Sequence, residues 1–278
     1  MGRGDVQLQK ARARRGMYIL PSLFTAGNIA IGYYVIVESI RGSSLGEVAA
    51  FDHASLAVIF AMFFDALDGR IARMTNTESA FGRELDSLAD VITFGVAPSL
   101  LAYLWGVRQV WPTAYPQLEA RLMHFGLVIC FLFLICGACR LARFNISVDP
   151  QPRNPGRPGR KYFVGMPIPA GAGVVAAVVH FEDGSPIHNP WLSVLWLALI
   201  ALVGFLMVSS WRFWSGKELD LNQRRPGRLL ALFALIGSVV FLESEYALIA
   251  IAMGYLLSGV FARLAYSWQR RPATAASR

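Results

Sequence analysis

The feature that most constrains this chain is a succession of apolar runs, each about as long as a bilayer is thick. A membrane-spanning helix needs about 20 mostly apolar residues. Eight segments approach that length: 17–40, 47–69, 86–106, 122–143, 164–181, 190–210, 228–243 and 246–264. Of the 278 residues, 55% are hydrophobic and only 16% are charged, which leaves too little polar surface for a soluble domain. We therefore predict an all-α integral membrane protein, a polytopic bundle of about eight transmembrane helices.

The 26 Lys and Arg residues are distributed unevenly around these runs. All but Arg41, Arg108 and Arg121 lie before the first run, at or after the end of the second, fourth or sixth run, or at the C-terminal end. Cytoplasmic ends of membrane spans carry an excess of Lys and Arg. The pattern predicts that both termini are cytoplasmic and explains the net charge of +8 without a nucleic-acid partner. The predicted parts are a basic N-terminal segment, a membrane domain and a polar tail, at 1–16, 17–264 and 265–278.

Four aspartates lie between the second and third runs, at the predicted cytoplasmic edge. Asp65 and Asp68 are three residues apart, and Asp86 and Asp90 are four apart, so each pair shares a helix face. If the two spans form a hairpin, the carboxylates converge, and like charges about 4 Å apart repel by about 4 kcal/mol at an effective dielectric constant near 20. Carboxylates suit Mg²⁺ or Mn²⁺, which would relieve this repulsion. The acids therefore predict a site for two divalent cations.

The residues between the acids suit an anionic ligand. Gly69 leaves room for a ligand beside the backbone, and Arg73 is a cation suited to phosphate. The whole spacing is Asp65-x2-Asp68-Gly69-x2-Ala72-Arg73-x8-Gly82-x3-Asp86-x3-Asp90. It resembles the complete signature of the CDP-alcohol phosphatidyltransferases.

This resemblance implies a membrane enzyme that passes the phosphatidyl group of a CDP-linked lipid to an alcohol. It implies that Asp65, Asp68 and Asp86 are metal ligands. It also implies that Asp90 holds the second metal and acts as the general base. The implied contacts of the CDP-lipid are Asn28, Ile29, Ala30, Ile31, Gly69, Ala72, Arg73, Ser79 and Gly82. The expected assembly is a homodimer in the inner cell membrane, with the active site facing the cytoplasm.

Three further stretches bear on the acceptor alcohol. Residues 139–145 (CRLARFN), 165–173 (GMPIPAGAG) and 206–226 resemble the bacterial multi-span phosphatidylserine synthases. This implies CDP-diacylglycerol as the donor, L-serine as the acceptor, and phosphatidylserine and CMP as the products. A serine carboxylate favours a cation with fork geometry. The candidate acceptor-binding residues are Arg140, Arg143 and Asn145, although such arginines also serve as topology anchors or lipid-headgroup contacts.

Two alternatives stay open at the level of sequence. Within the same reaction class the acceptor could be glycerol 3-phosphate, inositol phosphate or choline, and Arg160 and Lys161 could add the cations that a phosphorylated acceptor needs. A divalent-cation transporter is the alternative from another class, but its ion site is expected near the bilayer midplane. A serine synthase of the His-x-Lys class is excluded, because none of the four histidines has a Lys two residues later. The spacing of Cys136 and Cys139 within an apolar run favours packing over a metal or redox role.

Overall fold

The structure is a computed structural model that describes residues 3–75, 80–110, 116–147, 162–215 and 242–269. Side chains are described in 23–66, 81–110, 116–147, 162–215 and 242–268. The described part is mostly helical, with one two-stranded sheet. In chain order its elements are α1 (Arg3–Leu45), α2 (Val48–Thr75), α3 (Ala80–Asp90), a π-helical turn (Val91–Val96), α4 (Ala97–Gly106), α5 (Pro116–Ile146), β1 (Tyr162–Val164), α6 (Ile168–Phe181), α7 (Pro190–Val208), β2 (Arg212–Trp214) and α8 (Ser244–Gln269).

Six helical segments of the described part are long and apolar enough to cross a membrane. They are Leu23–Leu45, Val48–Ala66, Phe81–Gly106, Pro116–Ile146, Pro190–Val208 and Ser244–Trp268. The predicted run 164–181 forms the shorter helix α6, and nearly all of the run 228–243 lies outside the described residues. The prediction of a polytopic helical membrane protein is confirmed, whereas the number of eight spans and the cytoplasmic termini stay predictions. The basic segment 1–16 contributes to α1, which begins at Arg3.

Helices α1 and α2 form a closely packed antiparallel pair. A Cβ on Gly42 would lie 2.8 Å from the ring of Phe51, and one on Gly27 would lie 3.0 Å from Phe64. Because small residues let helix backbones approach each other, these glycines set the spacing of the pair. Gly46 connects the two helices with a φ of +70°, a conformation that glycine adopts without steric cost.

Helix α6 lies at the centre of the bundle. Ten of its residues are buried, and the helix packs against α2, α7 and α8. At about 1.5 Å per residue it is shorter than the hydrocarbon layer. It can be short because the chain that precedes it is enclosed by protein: Gly165 N–H donates to the Trp211 carbonyl at 2.8 Å, and Met166 N–H donates to the Leu206 carbonyl at 3.0 Å. Backbone of this kind is tolerated at membrane depth only inside protein.

The two strands pair antiparallel and tie the end of α7 to the start of α6. Tyr162 lies opposite Trp214, Phe163 opposite Phe213, and Val164 opposite Arg212. Phe213 is fully buried, with its ring against α8. The two-stranded sheet therefore joins the C-terminal end of α7 to the last described helix.

A group of polar side-chain contacts lies about 20 Å from Asp65 along α2. His180 Nδ1 lies 2.5 Å from Asp52 Oδ1, and His180 Nε2 lies 2.8 Å from Ser244 Oγ. These contacts link the start of α2, the end of α6 and the start of α8. They therefore tie these three helices together at the end of the bundle away from Asp65.

Candidate active site

Three of the four aspartates converge where the end of α2 meets α3. Each of Asp65, Asp86 and Asp90 offers a carboxylate oxygen within 4.8 Å of the other two, and all three side chains are half-buried. Asp86 and Asp90 share one face of α3, as the four-residue spacing predicts. Asp68 lies on α2 one turn after Asp65, with its side chain outside the described residues. The structure therefore brings three of the predicted ligands together.

The acid cluster fits divalent cations. At separations below 5 Å each pair of ionised carboxylates repels by about 3 kcal/mol at an effective dielectric constant near 20. Half-burial of the three side chains removes part of the solvent that would otherwise screen this repulsion. A hard divalent cation offsets it, and an all-oxygen donor set is the set that Mg²⁺ and Mn²⁺ prefer.

A π-helical turn follows Asp90 directly and sets the position of α1 beside the acids. The turn buries Thr93, Phe94 and Gly95. Thr93 Oγ1 donates to the Asn28 carbonyl at 2.9 Å, and a Cβ on Gly32 would lie 2.9 Å from the Thr93 Cα. Such turns occur often at functional sites. Here the turn places the α1 backbone around Asn28 against the segment that carries Asp90.

The side chain of Asn28 is buried and unsatisfied. It is only 1% exposed, and neither its Oδ1 nor its Nδ2 has a hydrogen-bond partner among the residues that the structure describes. Leaving a buried polar group unpaired costs about 1–3 kcal/mol. A ligand with donor and acceptor groups, such as a nucleotide, would satisfy this amide.

An apolar groove of about 480 Å³ lies between α1 and α2, next to this position. Its lining is Ala30, Ile31, Tyr34, Leu56, Ala57 and Phe60. The groove faces the outside of the bundle, since the Phe60 side chain is 58% exposed. Ala30 and Ile31 therefore lie at an outward-facing apolar surface, whereas Asn28 faces inward.

The remaining predicted CDP-lipid contacts lie near the acids in sequence. Gly82 is half-buried on α3, one turn before Asp86. Gly69, Ala72 and Arg73 belong to the last turns of α2, but their side chains are outside the described part, and Ser79 lies outside it altogether. Their role stays a prediction.

Arg140 is a buried cation beside the acid cluster. Its side chain is 7% exposed, and the guanidinium carbon lies 5.2 Å from the Phe144 ring centroid and 5.7 Å from that of Phe163. Its helix, α5, packs against the π-helical turn that follows Asp90. Its Nε has no hydrogen-bond partner within the described ranges. Among the residues that the structure describes, Arg140 is thus held by aromatic rings rather than by an ion pair.

Arg143 and Asn145 make contacts that connect elements. Arg143 Nη1 donates to the Val208 carbonyl at 2.8 Å, and Arg143 Nη2 donates to the carbonyls of Val164 at 3.1 Å, Ser209 at 3.2 Å and Met207 at 3.4 Å. Asn145 Nδ2 donates to Ser87 Oγ at 2.8 Å. Arg143 therefore caps the C-terminal end of α7, and Asn145 ties α5 to α3. Binding of an acceptor by either residue stays a prediction.

Sequence reasoning missed Phe163, whose ring lies against Arg140, and Tyr255, whose ring lies against Phe213 of the same sheet. Tyr255 belongs to the apolar run "IAIAMGYLLSGV", where its hydroxyl is the one polar group apart from a serine. That is a weak signal, because buried tyrosines are common in helix packing. Phe163 follows the stretch 151–161, which reads as a loop, and its strand partner is far away in the sequence.

The chain is similar to one protein family and to several named proteins that share one name. Residues 18–183 match the family model of the CDP-alcohol phosphatidyltransferases. The chain is 38% identical over 254 residues to the CDP-diacylglycerol–serine O-phosphatidyltransferase of Helicobacter pylori, covering 88% of this chain and 90% of that one. Proteins with the same name are 33% identical in Bacillus subtilis, covering 76% and 99%, and 36% identical in Saccharomyces cerevisiae, covering 54% and 49%.

Proposed function

Because the chain belongs to the CDP-alcohol phosphatidyltransferase family, we propose that it transfers the phosphatidyl group of CDP-diacylglycerol to the hydroxyl of L-serine. The products are phosphatidylserine and CMP. The observation that carries the proposal is the convergence of Asp65, Asp86 and Asp90 in a chain that resembles serine-transferring relatives over most of its length. The six apolar spans agree with a reaction in which the donor and one product are membrane lipids.

The four aspartates can form a binding site for a pyrophosphate when they hold cations. Asp65, Asp68, Asp86 and Asp90 would hold two divalent cations, Mg²⁺ or Mn²⁺. When bound, such ions supply the positive charge that attracts the donor, polarises the phosphorus and stabilises the departing CMP. Without that charge the acids would repel the donor, so the same carboxylates that bind the ions also make donor binding depend on them.

We assign Asp90 as the group that accepts the proton of the attacking hydroxyl. The serine oxygen attacks the phosphorus nearest the lipid, in line with the leaving CMP. A bond forms between that oxygen and the phosphorus, the bond from phosphorus to the CMP oxygen breaks, and the hydroxyl proton passes to the Asp90 carboxylate. Arg140, a buried cation on α5, receives the serine carboxylate, so that the amino acid is held with its hydroxyl towards the base.

The donor lipid uses the opposite side of the acids. The amide of Asn28 and the predicted contacts Gly69, Arg73, Ser79 and Gly82 bind the cytidine diphosphate. The groove between α1 and α2 receives an acyl chain, because it is apolar and opens sideways. The polar and apolar halves of the donor are therefore separated along α1.

The geometry favours serine over the other acceptors. Arg140 presents a single buried guanidinium with an unsatisfied Nε among the described residues, which suits one carboxylate. Choline has no carboxylate, and glycerol 3-phosphate or inositol phosphate would add a doubly charged phosphate. A transporter is disfavoured because Asp65 lies at one end of its span, Val48–Ala66, rather than in the middle.

The proposal is tested by measuring CMP release with different acceptor alcohols and with and without divalent cations. Purified protein is given CDP-diacylglycerol with L-serine, glycerol 3-phosphate, inositol phosphate or choline, and CMP release is followed. Serine should be the acceptor that stimulates release, and EDTA should abolish it until excess Mg²⁺ or Mn²⁺ is added back. Stimulation by glycerol 3-phosphate but not by serine would contradict the acceptor, and full activity in excess EDTA would contradict the metal site.

The proposal includes assembly and location. We expect a homodimer in the inner membrane, with the acids facing the cytoplasm, where serine and the water-soluble CMP are exchanged. Chemical cross-linking in membranes should trap a species of twice the monomer mass. A monomer under all cross-linking conditions would contradict the homodimer without affecting the reaction.

A further inference from the structure

The backbone carbonyl of Asn28 accepts a hydrogen bond from outside its own helix. Within α1 this oxygen is the acceptor for the N–H four residues later, that of Gly32. Thr93 Oγ1 donates to the same oxygen at 2.9 Å, and the side chains of Thr93 and Asn28 are both buried. A carbonyl oxygen has two lone pairs. One therefore serves the helix, and the other joins α1 to the π-helical turn.

Gly32 makes this second bond possible. A Cβ on Gly32 would lie 2.7 Å from Thr93 Oγ1, which is closer than van der Waals contact. A side chain at position 32 would therefore have to displace the Thr93 hydroxyl from the Asn28 carbonyl. Because the residue four positions after Asn28 is a glycine, the carbonyl stays open to a donor from another element.

The π-helical turn carries Thr93 close to the acid cluster. Ala97 N–H donates to the Ile92 carbonyl, five residues earlier, which is the register of a π-helix. Thr93 follows Asp90 by three residues on the same continuous helical segment, a rise of about 4.5 Å along its axis. A shift of Thr93 relative to α1 would therefore also move Asp90 relative to α1.

The residue at the other end of this bond has an unused amide. Asn28 Oδ1 and Nδ2 are buried and have no hydrogen-bond partner in the described ranges. Buried polar groups are nearly always paired, so an unpaired amide at the donor side of the acids indicates a place for a ligand. The Thr93 hydroxyl thus holds the residue that carries the ligand-binding amide, and it holds that residue against the segment that carries the base.

We propose that Thr93 is a positioning residue that fixes the nucleotide subsite relative to the acid cluster through its hydrogen bond to the Asn28 carbonyl. The inference rests on the proposed function and deepens its donor side. The ligand class concerned is the cytidine diphosphate part of the donor. Loss of the bond should therefore affect donor binding and turnover and leave acceptor binding unchanged.

The test uses Thr93→Val, which removes the hydroxyl and keeps the volume of the side chain. We expect the KM for CDP-diacylglycerol to rise about threefold to tenfold, the range for one hydrogen bond, with a lower kcat and an unchanged KM for serine. The Kd of soluble CDP, measured by calorimetry with Mg²⁺ present, should rise by a similar factor. Thr93→Ser retains the hydroxyl and should restore these values. Thr93→Ala, which places no methyl group against the carbonyl, should reproduce the effect of Thr93→Val.

Ser99→Ala is the matched control for a loss of helix packing. Ser99 Oγ donates to the Cys130 carbonyl at 2.9 Å, which is the same kind of bond between two helices of the bundle. Ser99 lies nine residues after Asp90, on α4. Its loss should lower the thermal midpoint as Thr93→Val does, but it should leave the donor KM and the Kd of CDP unchanged.

A double-mutant cycle tests whether Thr93 acts through Asn28. Adding Thr93→Val to Asn28→Ala should leave the Kd of CDP where Asn28→Ala alone put it. Additive effects, or a donor KM and a Kd of CDP that Thr93→Val and Thr93→Ala leave unchanged, would overturn the inference while serine-dependent CMP release by the wild type upholds the reaction. A wild-type protein that binds CDP but ignores serine would contradict only the acceptor, and one that does not bind CDP would overturn both proposals.

Discussion

At the scale of single residues, two arginines three positions apart do different things. The sequence predicts the same role for Arg140 and Arg143, because both follow one apolar run and both suit a carboxylate. The structure separates them. Arg140 lies among aromatic rings with an unsatisfied Nε among the described atoms, whereas Arg143 donates to four backbone carbonyls. Those carbonyls belong to residues far along the chain, which spacing alone cannot reveal.

This difference predicts different phenotypes. Arg140→Ala should raise the serine KM at least tenfold with little change in the thermal midpoint, because its loss removes a ligand-binding charge. Arg143→Ala should lower stability by about 1–3 kcal/mol, since it leaves carbonyls at the end of α7 unsatisfied. Thermal unfolding in detergent and serine titrations measure both. Equal effects of the two variants on the serine KM at unchanged stability would contradict the division of roles.

Substitution by Asn can distinguish the role of Asp90 from that of the other aspartates. Asp90→Asn keeps the size and one oxygen of the side chain but cannot take a proton near neutral pH. At saturating metal we expect turnover to fall by about 10² to 10⁴, the usual contribution of a positioned base, with CDP-lipid affinity retained. Asp68→Asn should weaken metal and CDP-lipid binding together. An Asp90→Asn enzyme with near wild-type turnover would leave Asp90 at most a metal ligand.

At the scale of elements, the third span shows what periodicity can and cannot predict. The apolar run 86–106 predicts one helix. The structure has α3, a π-helical turn and α4 within Phe81–Gly106, and α3 begins at Ala80 because its charged first turns extend outside the apolar run. A π turn accommodates an additional residue without changing composition, so the hydrophobic pattern does not reveal it. Its effect is visible only in the contact with α1.

The contact between α1 and the π-helical turn predicts that replacing Gly32 destabilises the protein. Gly32→Ala would place a Cβ 2.7 Å from Thr93 Oγ1 and 2.9 Å from the Thr93 Cα, so it should cost about 1–3 kcal/mol by overpacking and lower turnover by shifting the segment after Asp90. Gly254→Ala on α8 is the control, because nothing described lies within 4 Å of its added Cβ. It should keep or slightly raise the thermal midpoint through higher helix propensity. If both variants unfold alike and turn over normally, α1 does not constrain the π turn.

At the scale of the whole molecule, two sets of polar contacts mark opposite ends of the bundle. The acids lie at one end, and Asp52, His180 and Ser244 lie at the other. The basic residues predict that the acid end faces the cytoplasm. The polar contacts at the other end then join α2, α6 and α8 on the far side of the membrane.

Cysteine labelling in intact cells tests this orientation. Glu84 and Glu182 are exposed residues at the acid end and the opposite end, and each is replaced by Cys after the three native cysteines have been changed to Ser. A membrane-impermeant maleimide should label Glu182→Cys in intact cells and Glu84→Cys only after permeabilisation. The reverse result would place the acids on the outer side.

The features that could be predicted are those that depend on residues close to each other in the sequence. Apolar runs predict the long helices, and the spacing of Asp86 and Asp90 predicts their shared face. The short α6, the pairing of Phe163 with Phe213 and the packing of Tyr255 on Phe213 depend on residues that are distant in sequence. Helix α6 illustrates the reason. Its length follows from the protein that encloses it rather than from the thickness of the bilayer.

The groove between α1 and α2 opens to the side, and this has a kinetic consequence for an enzyme of the proposed kind. A donor that enters from the side never passes through water, so its effective concentration is its number per unit of membrane area. Adding more vesicles of the same composition would then leave the turnover per enzyme unchanged, whereas diluting the donor with inert lipid in each vesicle would lower it. The lipid product leaves by the same lateral route and stays in the same membrane. There it competes with the next donor in proportion to its share of the surface.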